Sequence, residues 1–205
     1  MIRRTLTIGG VLALVAATVS VALADFNDLP KETVNQYAGP LAEAANGQFG
    51  KAPLAPELEV EAAKGLASDA GGGMIFIPQK GLSAEGLAKA GQKPVSLGVL
   101  FSLQVSLVGK TGPLTNEQLT TVEVNGSVIQ AALLLVRAGK GDARILDVYG
   151  KGKKPIISVP LTAIKAGGSG ITLQVENFDG NTGTGDLQVT IAGKYQATLP
   201  VAVTS

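Results

Sequence analysis

Three residue types are missing from this chain of 205: cysteine, histidine and tryptophan. Without cysteine, no disulfide braces the fold and no thiolate serves as nucleophile or soft metal ligand. Without histidine, the Ser-His-Asp and Cys-His constellations are excluded, and so are ordinary zinc sites. The sequence also holds no Ser-x-x-Lys, no Gly-x-Ser-x-Gly and no glycine-rich phosphate loop between a strand and a helix. What stays open to an enzyme is carboxylate-only chemistry, as in glycosidases. The clustered acids are Glu57, Glu59 and Glu61, and their i, i+2 spacing in polar surroundings favours a solvated face over a catalytic pair.

Charged residues are sparse too, at 16% of the chain. Residues 1–24 read as a secretory signal peptide: Arg3 and Arg4, then the uncharged run Ile8 to Leu23, then Ala22-Leu23-Ala24 as a small-x-small cleavage site before Asp25. An exported protein of 181 residues, 205 less 24, follows, either periplasmic, cell-surface or extracellular. Its 15 basic residues (17 less Arg3 and Arg4) against 16 acidic ones leave a net charge of −1. That balance offers no electrostatic reason to bind nucleic acid or an anionic membrane. The expected partner is a protein or polysaccharide of the cell envelope, with self-association open and no stable membrane span after cleavage.

Glycine, by contrast, is abundant at 27 residues and not periodic, which suits a chain of many turns. Between those turns the sequence alternates. Ile171, Leu173 and Val175 are interleaved with Thr172, Gln174 and Glu176, and Leu187, Val189 and Ile191 with Gln188 and Thr190. Period two means strands with one face on a core and one face in water. Val95 to Val108 alternates over fourteen residues, roughly 46 Å of strand, so it is expected to bend, at Gly98, and serve two sheets. Asn125-Gly126 predicts a two-residue hairpin loop that sets Val124 opposite Ser127 and Val122 opposite Ile129. Ala131 to Val136 loses the alternation, as a strand covered on both faces would. Around Gly193-Lys194, a two-residue loop would oppose core and solvent faces, so an odd-length turn is expected. Pro155 and Pro160 mark strand edges.

About eight strands over 74–203 with no recurring long helix predict an all-β fold, an antiparallel β-sandwich of jelly-roll or Ig-like type. The domain plan is 1–24 signal peptide, 25–73 irregular or short-helical segment, and 74–205 β-sandwich. In the N-terminal region Val34, Tyr37, Ala38 and Leu41 have helical spacing, but Gly39-Pro40 predicts two short pieces or a kinked helix. The run Glu57 to Lys64 fits an edge strand or a helix, and Ser83 to Ala90 fits one or two helical turns.

Residues 122–191 resemble the distal half of galactose-binding-like jelly rolls. The resemblance is carried by Val124-Asn125-Gly126 closing a strand, by Val159-Pro-Leu-Thr-Ala-Ile-Lys-Ala-Gly167, by the strand Ile171 to Val175, and by the glycine-rich loop Asp179 to Gly185. It implies a binding or accessory module rather than a catalyst. The aromatic platform that many such modules use for sugars has no counterpart, since tryptophan is absent.

Three stretches are candidates for function. In Asp179-Gly-Asn-Thr-Gly-Thr-Gly-Asp186, the residues Asp179, Asn181 and Asp186 offer hard oxygen ligands for calcium, and the same loop suits a plain hairpin connection. Lys151, Lys153 and Lys154 could contact a phosphate or an anionic polymer, or form a solvated turn. Met74 to Ile77, behind Gly71-Gly72-Gly73, could be donated to a neighbouring subunit or lie in the protein's own sheet. The expected function is therefore an exported, non-enzymatic β-sandwich acting as a binding or accessory module or a structural surface component, with no cofactor beyond that calcium. The alternatives are a subunit of an extracellular fibre or surface layer assembled by strand addition, and a carboxylate-only hydrolase.

Overall fold

The computed structural model describes residues 26–49, 56–69, 71–88, 94–165 and 170–204. The expected signal peptide lies outside these residues. In chain order the elements are β1 (Phe26–Asp28), α1 (Lys31–Phe49), a 3-10 turn (Val60–Ala62), β2 (Lys64–Ser68), β3 (Gly73–Pro78), α2 (Ala84–Ala88), β4 (Val95–Leu103), β5 (Val105–Gly109), β6 (Gly112–Pro113), β7 (Thr120–Val124), β8 (Ser127–Ala138), β9 (Arg144–Tyr149), β10 (Ile157–Ala163), β11 (Ile171–Asp179), β12 (Thr184–Ile191) and β13 (Tyr195–Val203). The protein is all-β and antiparallel, with the sheet path β1-β2-β3-β4-β8-β9-β10-β13-β12-β11. β7 adds to β8 beside the end of β9, and β5 joins β13 to β6. The path curls so that its ends meet: Phe26 of β1 stacks edge-on against Phe178 of β11, ring centres 5.3 Å apart.

Two apolar cores result. One lies inside the curl, where Phe76, Leu97, Leu134 and Leu146 from one half meet Leu173, Leu187, Val189 and Leu199 from the other. The second lies outside the first half, where Val34, Ala38, Leu41, Ala45 and Phe49 of α1 cover Ile77, Val99, Phe101, Val122 and Leu133. Strands between the two cores are buried on both faces, which is why Ala131 to Val136 is apolar without alternation.

The two-piece helix is not seen. α1 is one run of 19 residues with Pro40 inside it. Proline forfeits a hydrogen bond there, but Pro40 is exposed, and the buried positions on either side of it hold the helix to the sheet. The region before Gly73 is partly helical as expected and also supplies two strands, β1 and β2, to the same sheet. Of the run Glu57 to Lys64, Leu58 makes an isolated bridge to Gln79, and the 3-10 turn Val60–Ala62 then leads into β2.

Val95 to Val108 does serve both halves, but the break falls at Gln104 and not at Gly98. Gln104 adopts a left-handed φ of 55° between β4 and β5. β4 pairs with β3 and β8, and β5 with β13. Gly98 has a different task. A register shift between Ser96 and Gly98 bulges β4, with φ 137° at the glycine, where a Cβ would come within 2.2 Å of the Ile77 carbonyl oxygen. The bulge switches the faces: Leu97 belongs to the inner core, whereas Val99 and Phe101 lie under α1. They do not share one face, as strict alternation predicts.

Both hairpin expectations match. Val122 pairs with Ile129 and Val124 with Ser127, with positive φ at Asn125 and Gly126. Ile191 pairs with Tyr195 across the three-residue loop Ala192-Gly193-Lys194. Pro160 sits within β10, on the stretch that pairs with β9 alone, while Thr162 and Ala163 go on to pair with β13. The missing N–H therefore falls where one neighbour strand suffices.

Candidate functional site: a lysine-lined cleft at the end of α1

β8 is long enough to take β7 and β9 end to end along one side: Thr120 pairs with Ala131, and Tyr149 with Leu133. The start of β7 therefore faces the end of β9, and the last turn of α1 lies over the junction. A cleft of about 520 Å³ opens there, lined by Gln48, Phe49, Thr120, Thr121, Leu133, Tyr149, Gly150, Lys151, Gly152 and Lys153. Of these residues Phe49, Leu133 and Thr120 are buried, Thr121 and Tyr149 are half-buried, and Gln48, Lys151 and Lys153 are exposed.

Gly150 makes this arrangement possible. A Cβ at this position would stand 2.0 Å from the Gln118 carbonyl oxygen, so only glycine lets the chain leave β9 so close to β7. The Lys151 N–H then donates to that same carbonyl at 3.0 Å. This bond pins the lysine loop to the cleft. Lys151, Lys153 and Lys154 are all exposed, and the first two line the cleft. Burial pushes the Tyr149 hydroxyl pKa up, and the Asp147 carboxylate adds to this against the opposing charge of Arg137. Tyr149 therefore keeps its proton across the neutral range and remains a hydrogen-bond donor.

Asp147 is the anchor beneath. It is 1% exposed, receives the Arg137 Nε–H at 2.5 Å, and accepts the Ser158 hydroxyl at 2.6 Å. Arg137, Asp147 and Ser158 lie on the adjacent strands β8, β9 and β10. No sequence motif marks this cluster. Its one signal in the sequence is a lone acid inside an apolar strand, Ile145-Leu-Asp-Val-Tyr149, a position where a charge requires a partner.

The calcium candidates are only partly brought together. Asp179 ends β11, and its carboxylate accepts the Asn181 N–H at 2.9 Å. That bond holds the Asp179 carboxyl below its ordinary range. Asp186 lies within β12, paired with Glu176, and its carboxylate accepts from the Asn177 side chain at 3.0 Å. Asp179 and Asn181 thus share one turn, and Asp186 is engaged on the strand. Among the described residues no group of three acidic side chains is placed to hold a metal ion. Glu57, Glu59 and Glu61 are exposed, on the chain that crosses to β2. Met74 to Ile77 lies between β2 and β4 in the protein's own sheet. Among the described residues, no helix is long and apolar enough to cross a membrane.

No protein-family model, no curated protein and no solved structure matches the chain.

Proposed function

We propose that the protein is an exported, non-enzymatic module of the cell envelope that binds an anionic group, carboxylate or phosphate, of an envelope polymer in the α1 cleft. The observation that carries this is the pinned lysine loop: Lys151 and Lys153 line one recess with Thr120, Thr121, Tyr149 and the buried Phe49 and Leu133. Ammonium groups beside hydroxyl donors suit an anion, and the recess lowers the competition from water. The absence of histidine and cysteine from the sequence supports binding over catalysis. The resemblance of residues 122–191 to galactose-binding-like jelly rolls points the same way.

The test is titration of the mature protein with polygalacturonate and with inorganic phosphate, followed by calorimetry. Binding is expected to weaken with added salt. Losing two charge-assisted bonds in Lys151→Ala/Lys153→Ala should cost at least about tenfold in affinity. An unchanged affinity in that double variant, or no binding of either probe by the parent protein, overturns the reading.

A further inference from the structure

β11 ends the sheet path: it is hydrogen-bonded to β12 on one side and, among the described residues, to no strand on the other, and its ring contact with β1 is made at Phe178, beyond Val175. The register shows which groups face the open side. The Ala192 N–H donates to the Gly170 carbonyl at 2.6 Å, which makes that couple a hydrogen-bonded pair. Alternation along an antiparallel ladder then makes Thr172–Thr190 and Gln174–Gln188 hydrogen-bonded pairs as well. Ile171, Leu173 and Val175 belong to the other class. Each directs both its N–H and its C=O away from β12.

We propose that this edge pairs with the same edge of a second copy, antiparallel and centred on Leu173, to form a closed dimer. In that register Leu173 faces its own symmetry mate, and Ile171 faces Val175 of the other copy. All three couples join outward-pointing residues, so every open donor meets an open acceptor. Thr172 falls opposite Gln174 of the other copy, which matches two exposed polar side chains. Glu176 falls opposite Gly170, so no like charges meet.

The edge also lacks the usual guards. Sheet edges are kept apart by lysines, prolines or bulges, yet Ile171 to Val175 contains no charge and no proline. The bulge in β11 comes only between Glu176 and Asp179. The far end of the path is unlike this one: β1 has three residues and ends in Asp28. An edge that pairs with itself closes at two copies, whereas a fibre needs two different edges that fit each other. The inference is independent of the cleft.

Sedimentation equilibrium of the mature protein over a range of concentrations tests it. A monomer–dimer equilibrium is expected, with no larger species. Thr172→Lys/Gln174→Lys places lysine opposite lysine twice and should weaken the dimer at least about tenfold. Thr172→Glu/Gln174→Glu should do the same. Mixing the two variants should restore a one-to-one heterodimer, which a mere loss of fold would not do; circular dichroism confirms that each variant is folded. A strictly monomeric parent protein, open-ended polymers, or a dimer indifferent to both variants would overturn the proposal.

Discussion

The two halves of the sheet solve the same problem differently. In β3, β4 and β8 the outer face is roofed by α1, and side chains on both faces are buried. In β11, β12 and β13 no helix among the described residues covers the outer face: Thr172, Thr190 and Gln196 form one row across three strands, and Gln174, Gln188 and Thr198 the next. The Thr198 hydroxyl donates to the Gln188 side-chain oxygen at 2.9 Å within that row. The inner faces are alike. The difference shows that period-two alternation reports what covers the second face of a strand, and not whether the strand exists.

The sharpest way to break this contrast is to mutate outer-face positions in both halves. Phe101→Ala, under α1 and 1% exposed, should cost about 3–5 kcal/mol, whereas Thr190→Ala should stay within about 0.5 kcal/mol. Chemical denaturation reads both. A comparable cost at Thr190 would mean that the outer face of the second half is covered after all.

The ion pair in the first half adds a finer asymmetry. Arg137→Ala strands a buried carboxylate that keeps only Ser158 as a partner, so it should cost about 3–5 kcal/mol. Asp147→Ala leaves an arginine whose side chain is 39% exposed and can turn to water, so it should cost less. Equal losses in denaturant midpoint would contradict that ranking.

The smallest effect is expected at the Asp179 turn of the second half. The Asn181 N–H holds its folded-state pKa below the ordinary carboxylate value, so its contribution is complete above the unfolded pKa and is lost as pH falls through the folded one. Replacing it in Asp179→Asn should flatten the stability profile below about pH 4 and leave the neutral range nearly unchanged. A larger effect near neutrality than in acid would assign Asp179 another role.

Much of the fold is legible in the sequence because most of it is local. The Asn125-Gly126 loop and the odd turn before Tyr195 follow from backbone twist and face parity over a few residues. Gly98 misleads because a bulge depends on the partner strand; the Ile77 carbonyl that excludes a side chain there is 21 positions away in sequence. Pro40 does not split α1 in two, because helix propensity counts for less than the apolar face α1 presents to the sheet. β1 and β2 are too short and too weakly patterned to be read without their neighbours. At the candidate site, the lysines are visible in the sequence as a charged turn. Their value comes from the meeting of β7, β9 and the end of α1, which no stretch of sequence contains.

β13 sets the tempo of assembly. It is the last of the described strands in chain order, yet it holds β12, β10 and β5 together. No earlier subset of strands can therefore join the two halves by backbone pairing, and completing the sheet waits for contacts of long sequence separation. Such a chain is expected to fold slowly, on the scale of milliseconds to seconds, and to depend for its rate on substitutions at Leu199 and Val201 more than on any in α1.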